Sequence, residues 1–398
     1  MNPLSLKGPM TFKHGGFYLT PLLMLPGPTN VPERVLKALS RPVINHRGPE
    51  FRELYRSIFE GLRYVFQTEG YVFPLTCSGT GGVECAIFNL MDDGDKAIVA
   101  VNGEFARRMG EAVKAAGGQL VEIPIDWGKP VKAELVKEAV EREKNVKLVG
   151  VVYNETSTGV TSRELESIAK VAAEANALMV VDAISILGGE QLPVDKWGID
   201  ICITGSQKCL ACPPGLSMIS VSDKAWEALK RRKRPKTFYF DLLAYKRFHD
   251  ERYETPYTPA VPLLFALDEA LKMVREEGLE ERFKRHARCA RGLYAAAEAL
   301  GLEALAEANA RSNTVIAIKN PPGISDRDVI KVMREEHNVH IAGGMGKLRG
   351  STFRIGSMGI VSEQDIIRTV EALEKTLLKL GYKLELGTGV EAARKAMK

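Results

Sequence analysis

Thr204-Gly205-Ser206-Gln207-Lys208 closes a short apolar run, and Pro213-Pro214-Gly215 follows five residues later. Upstream, the run Leu178-Met179-Val180-Val181 ends in Asp182. Each run is short, apolar on successive residues and stopped by turn-forming or ionisable groups, which suits a strand buried on both faces. Working outward, similar runs are expected as strands at 71–76, 97–101, 119–123, 147–152, 178–181, 199–203 and 216–221. Helical spacing of apolar residues lies between most of them, around 83–91, 104–116, 131–143 and 162–175. A helix over 49–66 precedes the series, with Phe51, Leu54, Tyr55, Ile58, Leu62, Val65 and Phe66 on one face. Alternation of this kind predicts an α/β fold: a mainly parallel sheet between helices.

The pattern changes at the Thr/Pro-rich stretch 255–262. Two long helices, about 263–277 and 279–300, are expected next. A strand near 314–318, a helix near 325–337, strands near 338–341 and 352–356, and a last helix complete a smaller α+β domain. Ser362 and Asp365 open that last helix at capping-box spacing. The expected division is an N-terminal arm at 1–24, a large domain at 25–262 and a small C-terminal domain at 263–398.

With 398 residues the chain exceeds one ordinary core. Its 45% hydrophobic and 26% charged residues are those of a globular protein, and the net charge of +5 demands no anionic partner. No apolar stretch reaches the roughly 20 residues of a membrane span, and none at the N-terminus reads as a secretory signal. Six cysteines, several inside apolar runs, do not form a secreted disulfide framework, so a reducing, cytoplasmic setting is expected. Cys209 and Cys212 form a C-x-x-C, but no second pair completes a zinc site.

Four groups carry the chemistry. Thr76-Cys77-Ser78-Gly79-Thr80-Gly81-Gly82 lies between a strand and a helix expected to begin near Val83. Its backbone N–H groups, with the Ser78 and Thr80 hydroxyls, suit a phosphate at a helix N-terminus. Asp182, at the end of a buried strand, can hold the proton of a pyridine nitrogen. Phe105 can stack on a ring, and Thr156 can donate to a ring hydroxyl. Lys208, desolvated and of lowered pKa, can form a Schiff base and carry a proton, with Gln207 beside a phosphate. Arg354, on a short strand of the small domain, offers a fork for a substrate carboxylate. Ends of parallel strands converge on one edge of such a sheet. The set implies pyridoxal phosphate chemistry.

The segments PGPTNVP, CSGTGG, NETSTG, VVDAISILGG, GSQKCLACPPG and FRIGSMG run in order over nearly the whole chain after residue 24. In them the chain resembles the class V, fold-type I aminotransferases, in particular the alanine–glyoxylate and serine–pyruvate group. The resemblance implies transfer of an amino group from a small amino acid, alanine or serine, to glyoxylate or pyruvate by a ping-pong route. It implies that Lys208 is the cofactor lysine and that Asp182 meets the pyridine nitrogen. Ser78, Gly79, Thr80 and Gln207 would surround the phosphate, and Thr156 would meet the ring hydroxyl. Arg354 and Gly27 would contact substrate. It also implies a homodimer in which Thr258 reaches the neighbouring subunit's phosphate. Relatives often carry Trp at the place of Phe105, and some carry Tyr at that of Thr255.

Other readings have weaker support. A cysteine desulfurase needs a mobile cysteine in the small domain, where only Cys289 is present, in a helical pattern. A phosphoserine aminotransferase needs a second anion site, to which His46 and Arg47 could contribute; a solvated loop is favoured for both. The basic run 230–236 could bind nucleic acid but suits a solvated helix end better. A dinucleotide oxidoreductase would need G-x-G-x-x-G spacing, which the glycine turn lacks.

Overall fold

A computed structural model describes residues 20–232 and 234–398. The chain opens with β1 (Leu22–Leu23), α1 (Glu33–Leu39) and α2 (Pro49–Phe66). The large domain continues as β2 (Tyr71–Thr76), α3 (Gly79–Leu90), β3 (Lys96–Val101), α4 (Glu104–Ala115), β4 (Gln119–Pro124), α5 (Ala133–Arg142) and β5 (Val146–Val152). A small hairpin, β6 (Asn154–Glu155) and β7 (Val160–Thr161), precedes α6 (Leu165–Glu174). Then come β8 (Leu178–Asp182), β9 (Ile201–Gly205), β10 (Leu216–Val221), α7 (Asp223–Arg231), α8 (Leu242–Arg252) and α9 (Val261–Glu277).

The central sheet has seven strands in the order β2-β10-β9-β8-β5-β3-β4. Only β10 runs against its neighbours, β2 and β9. Side chains alternate across this sheet, so each strand feeds two cores. Met179 and Val181 of β8 pack with α2, α5, α6 and α9. Leu178 and Val180 pack with α3, α4, α7 and α8 on the other face. All seven expected strands are present. The sixth starts later than expected, because Asp200 is used to close the strand entry: its carboxylate accepts the Met179 N–H at 2.9 Å.

The small domain holds α10 (Leu279–Ala299), β11 (Val315–Lys319), α11 (Asp326–His337), β12 (Val339–His340), β13 (Ala342–Gly343), β14 (Thr352–Gly356), α12 (Glu363–Lys379) and α13 (Thr388–Met397). The Ser362–Asp365 capping box forms as expected. The 263–398 boundary needs correction. Leu264, Phe265, Leu267 and Leu271 of α9 belong to the large-domain core with α2, so the packing changes over at Gly278. The other boundary also moves. Leu22 and Met24 lie in the small-domain core, and β1 pairs with β12 in parallel. The expected arm therefore ends inside the small domain; its residues 1–19 lie outside the described ones. The last helix of the chain is α13, not α12, and it packs on α10, where Met397 fills the space beside Gly292.

Candidate active site

The helix after β2 starts at Gly79, four residues earlier than the sequence suggests. The glycines are therefore its first turn, not a separate loop, and the reason is space. A Cβ on Gly82 would lie 2.1 Å from Ser217 Oγ, and one on Gly79 would lie 2.6 Å from Ile184 Cδ1. Ser78 is the N-cap, but its side chain caps nothing. The first-turn N–H groups are thus left for an anion, and Ser78 and Thr80 are exposed beside them.

One cavity of about 550 Å³ collects Ser78, Gly79, Thr80, Phe105, Thr156, Asp182, Gln207 and Lys208. They come from the ends of β2, β3, β5, β8 and β9, at one edge of the sheet, as such a fold requires. Asp182 is buried and accepts the Ile184 N–H at 2.9 Å. Burial, the largest cause, pushes its carboxyl up to about 7; the nearby Glu155 adds to this and Lys208 opposes it. Gln207 Oε1 is buried without a partner, an acceptor waiting for a donor.

Lys208 lies three residues beyond β9, in a turn closed by the Ala211 N–H on its carbonyl at 3.0 Å. Its Nζ donates to the Pro26 carbonyl. Desolvation, helped by the Arg354 charge and opposed by Asp182, pulls the amine down to about 8. Gly27 lies against the same side chain: a Cβ there would sit 2.5 Å from Lys208 Nζ, and its φ of +101° already favours glycine. The position is a cradle for the lysine.

Arg354 is buried on β14. It donates from Nε to the Gly343 carbonyl at 2.9 Å and from Nη1 to the Thr156 carbonyl at 3.2 Å. No ion pair to it is formed among the described residues. Desolvation, opposed by Glu155, lowers it to about 10. A buried cation held only by carbonyls can receive a carboxylate. Thr156 Oγ1 donates to Ser185 Oγ at 2.8 Å.

Thr258 is not on this cavity. It is exposed, 3.4 Å from His46 Nε2. Thr255 is buried, and its hydroxyl donates to the Tyr257 carbonyl at 2.7 Å. Arg47 is not a solvated side chain: it pairs with Glu254 at 2.9 Å and donates to the Thr255 and Pro256 carbonyls. Its charge is spent inside the subunit. In the basic run, Arg232 is likewise used by Asp241 and Asn89, and Lys236 by Asp93 and the Ala116 carbonyl, while Lys233 lies outside the described residues. Cys209 and Cys212 are buried free thiols that desolvation pushes up to about 12. Among the described residues no cluster of His, Cys, Asp or Glu could hold a metal, and no helix is long and apolar enough to cross a membrane.

Sequence reasoning missed Glu155, Ile184 and Pro26. Ile184 carried a signal, as the second residue after a strand-ending aspartate. Glu155 and Pro26 lie in the segments NETSTG and PGPTNVP, but their roles rest mainly on contacts distant in sequence, with α4 and with Lys208, which those segments do not reveal.

The donor set fits pyridoxal phosphate. An uncapped helix end with hydroxyls would take the phosphate, a buried carboxylate the ring nitrogen, and a half-buried amine the aldehyde. The comparisons agree. The aminotransferase class-V family model matches residues 22–360. An uncharacterised aminotransferase of Methanocaldococcus jannaschii is 44% identical over 94% of this chain and 97% of its own. A serine–glyoxylate aminotransferase of Methylorubrum extorquens is 37% identical over 93% of this chain and 94% of its own. The solved ureidoglycine–glyoxylate aminotransferase of Bacillus subtilis superposes with a TM-score of 0.92 at 30% identity, covering 96% of this chain and 99% of that one. The chain belongs to the class V aminotransferases, enzymes of amino-group transfer that work with pyridoxal phosphate.

Proposed function

We propose that this enzyme moves the amino group of a small amino acid, alanine or serine, to a small 2-oxo acid by a ping-pong route through Lys208. The observation that carries this reading is the meeting of Lys208, Asp182 and the α3 N-terminus at one cavity, with Arg354 bonded to its wall at Thr156. Glyoxylate is favoured over pyruvate as acceptor. Two of the relatives named for glyoxylate differ in donor, serine in one and ureidoglycine in the other, but share that acceptor.

Pyridoxal phosphate, when bound, supplies an electron sink and a carrier for the amino group. The chain's residues do the rest. With its amine lowered to about 8, Lys208 is still mostly protonated near physiological pH but keeps a far larger neutral fraction than an ordinary lysine, and that fraction of Nζ can attack an aldehyde and later take the substrate α-proton. Asp182, raised to about 7, is suited to share a proton with a ring nitrogen and to ionise once that cation is beside it. Gln207, Ser78, Gly79 and Thr80 hold the phosphate, Phe105 covers the ring, and Thr156 meets the ring hydroxyl. Arg354 binds the carboxylate of each substrate in turn, which lets one site serve both half-reactions. Gly27 leaves room for Lys208 and for a small substrate.

The active unit on this reading is a homodimer, with exposed Thr258 turned to the neighbouring subunit's phosphate. Sedimentation showing a fully active monomer would remove that part. Six free thiols support a reducing, cytoplasmic setting. The main test is Lys208→Ala, expected to fold, to lose covalent cofactor attachment and to lose almost all turnover. Borohydride reduction that labels another lysine overturns the assignment. The donor is identified by following conversion of the cofactor to its amine form with each amino acid.

A further inference from the structure

Glu155 is fully buried in the hairpin beside the cavity and forms no ion pair among the described residues. Its carboxylate is instead surrounded by donors. It accepts the Phe105 N–H at 3.1 Å, the Ala106 N–H at 3.0 Å, the Ser157 N–H at 3.0 Å and the Ser157 hydroxyl at 2.6 Å. Ser157 Oγ in turn accepts the Glu104 N–H at 3.0 Å. Glu155 and Ser157 together thus satisfy three successive first-turn amides of α4. The helix's own N-cap, Gly103, has no side chain to do so.

Gly103 explains how a glutamate from another strand reaches the helix end. A Cβ at that position would lie 2.2 Å from Glu155 Cγ and 2.3 Å from Cδ. Its φ of 176° is ordinary extended backbone, so the demand for glycine there is for space alone. The carboxyl sits at the positive end of a helix dipole; burial still pushes its pKa up, and the Ser157, Ala106 and Phe105 hydrogen bonds oppose that rise. The next residue, Thr156, holds Arg354 through its carbonyl, and the preceding Tyr153 donates its N–H to the Asp182 carbonyl at 2.9 Å.

We infer that Glu155 is a positioning residue: a cap supplied from a distant strand that aims Phe105 at the ring site. The inference rests on the reading of Phe105 as the residue that covers the cofactor ring. Glu155 fixes the backbone N–H of Phe105 itself, so the carboxylate sets where the Phe105 side chain leaves the helix end. The same hairpin also meets Arg354, through the Thr156 carbonyl.

The test is a double-mutant cycle on the holoenzyme with Glu155→Gln and Phe105→Leu. Three quantities are read: the visible circular dichroism of the bound cofactor, the cofactor dissociation constant, and the melting of the cofactor-free protein. Glu155→Gln is expected to lose at least half the dichroism and to weaken cofactor retention about ten- to a hundredfold, the scale of a charged hydrogen bond. Phe105→Leu should reproduce the dichroic loss, and the double variant should be no worse than Phe105→Leu alone. Ser157→Ala, a milder loosening of the same carboxylate, enters the same cycle if Glu155→Gln does not fold. Unchanged dichroism in the Glu155 or Ser157 variant, or additive losses in the cycle, overturns the inference. Unchanged dichroism in Phe105→Leu overturns instead the reading that Phe105 covers the ring, so the two failures are distinct.

Discussion

Lys208 and Arg354 carry like charges in one desolvated site, and the arginine affects how the lysine titrates. Burial lowers the lysine first and the arginine's charge lowers it further. Aldehyde trapping at Lys208, followed by borohydride and peptide mapping over pH, should therefore have its midpoint near 8. In Arg354→Ala the midpoint should move up, toward the ordinary 10.5 of a lysine. A midpoint that stays put would show that the two groups do not interact. The same variant should weaken amino and keto acid binding by about 2–5 kcal/mol, as expected for a lost buried charge contact. Asp182 gives a second titration. In the cofactor-free chain its folded carboxyl, near 7, holds a proton more tightly than the unfolded one, near 3.8. Its contribution is present below pH 4 and is lost as pH rises to about 7, by up to about 1.4 kcal/mol per pH unit. Asp182→Asn should flatten that slope in urea unfolding of the cofactor-free protein; an identical slope would contradict it.

At the scale of elements, α3 is held by absent side chains. Gly82→Ala places a methyl against Ser217 Oγ and Ile203 Cγ2 and must push the helix off β9 and β10. A loss of about 1–3 kcal/mol in urea unfolding is expected, with weaker cofactor retention because the amides of the first turn move too. This is also where the sequence was misread. Glycines after a strand look like a turn, and only the neighbouring strands show that they are helix. Strands buried on both faces were legible because continuous apolar runs have few alternatives, and the 362–365 cap was legible because its chemistry is local. Helix α8 was not. Its buried Leu242, Tyr245 and His249 alternate with Lys246, Arg247 and Asp250 in a way that leaves no wide apolar stripe. Asp182, Lys208 and Arg354 were legible because ionisable residues end, closely follow or interrupt short apolar strands. Glu155 was hidden because an acid in a Thr/Ser/Gly stretch reads as a surface turn.

At the scale of the whole molecule, two of the connections between the domains lie beside the lysine's own stretch of chain. Arg282, at the start of α10, donates to the Gly188 and Cys209 carbonyls and pairs with Glu277. Arg282→Met should cost about 1–3 kcal/mol for each carbonyl or carboxylate it leaves unpaired. It should also broaden the Lys208 titration, because Cys209 is the next residue. Unchanged unfolding in urea would mean that water replaces the guanidinium.

The other connection is the first stretch of the described chain. Met24 receives the Gly356 N–H at 2.8 Å, and Gly356 lacks a Cβ because the Leu25 carbonyl carbon would meet it at 2.4 Å. Two residues later the Pro26 carbonyl takes Lys208 Nζ. Gly356 in turn stands two residues from Arg354 on the same strand. The segment is thus a ruler laid between Lys208 and the strand of Arg354. On the proposed reading of those two residues, its length would set the spacing between the attacking amine and the group that receives a carboxylate.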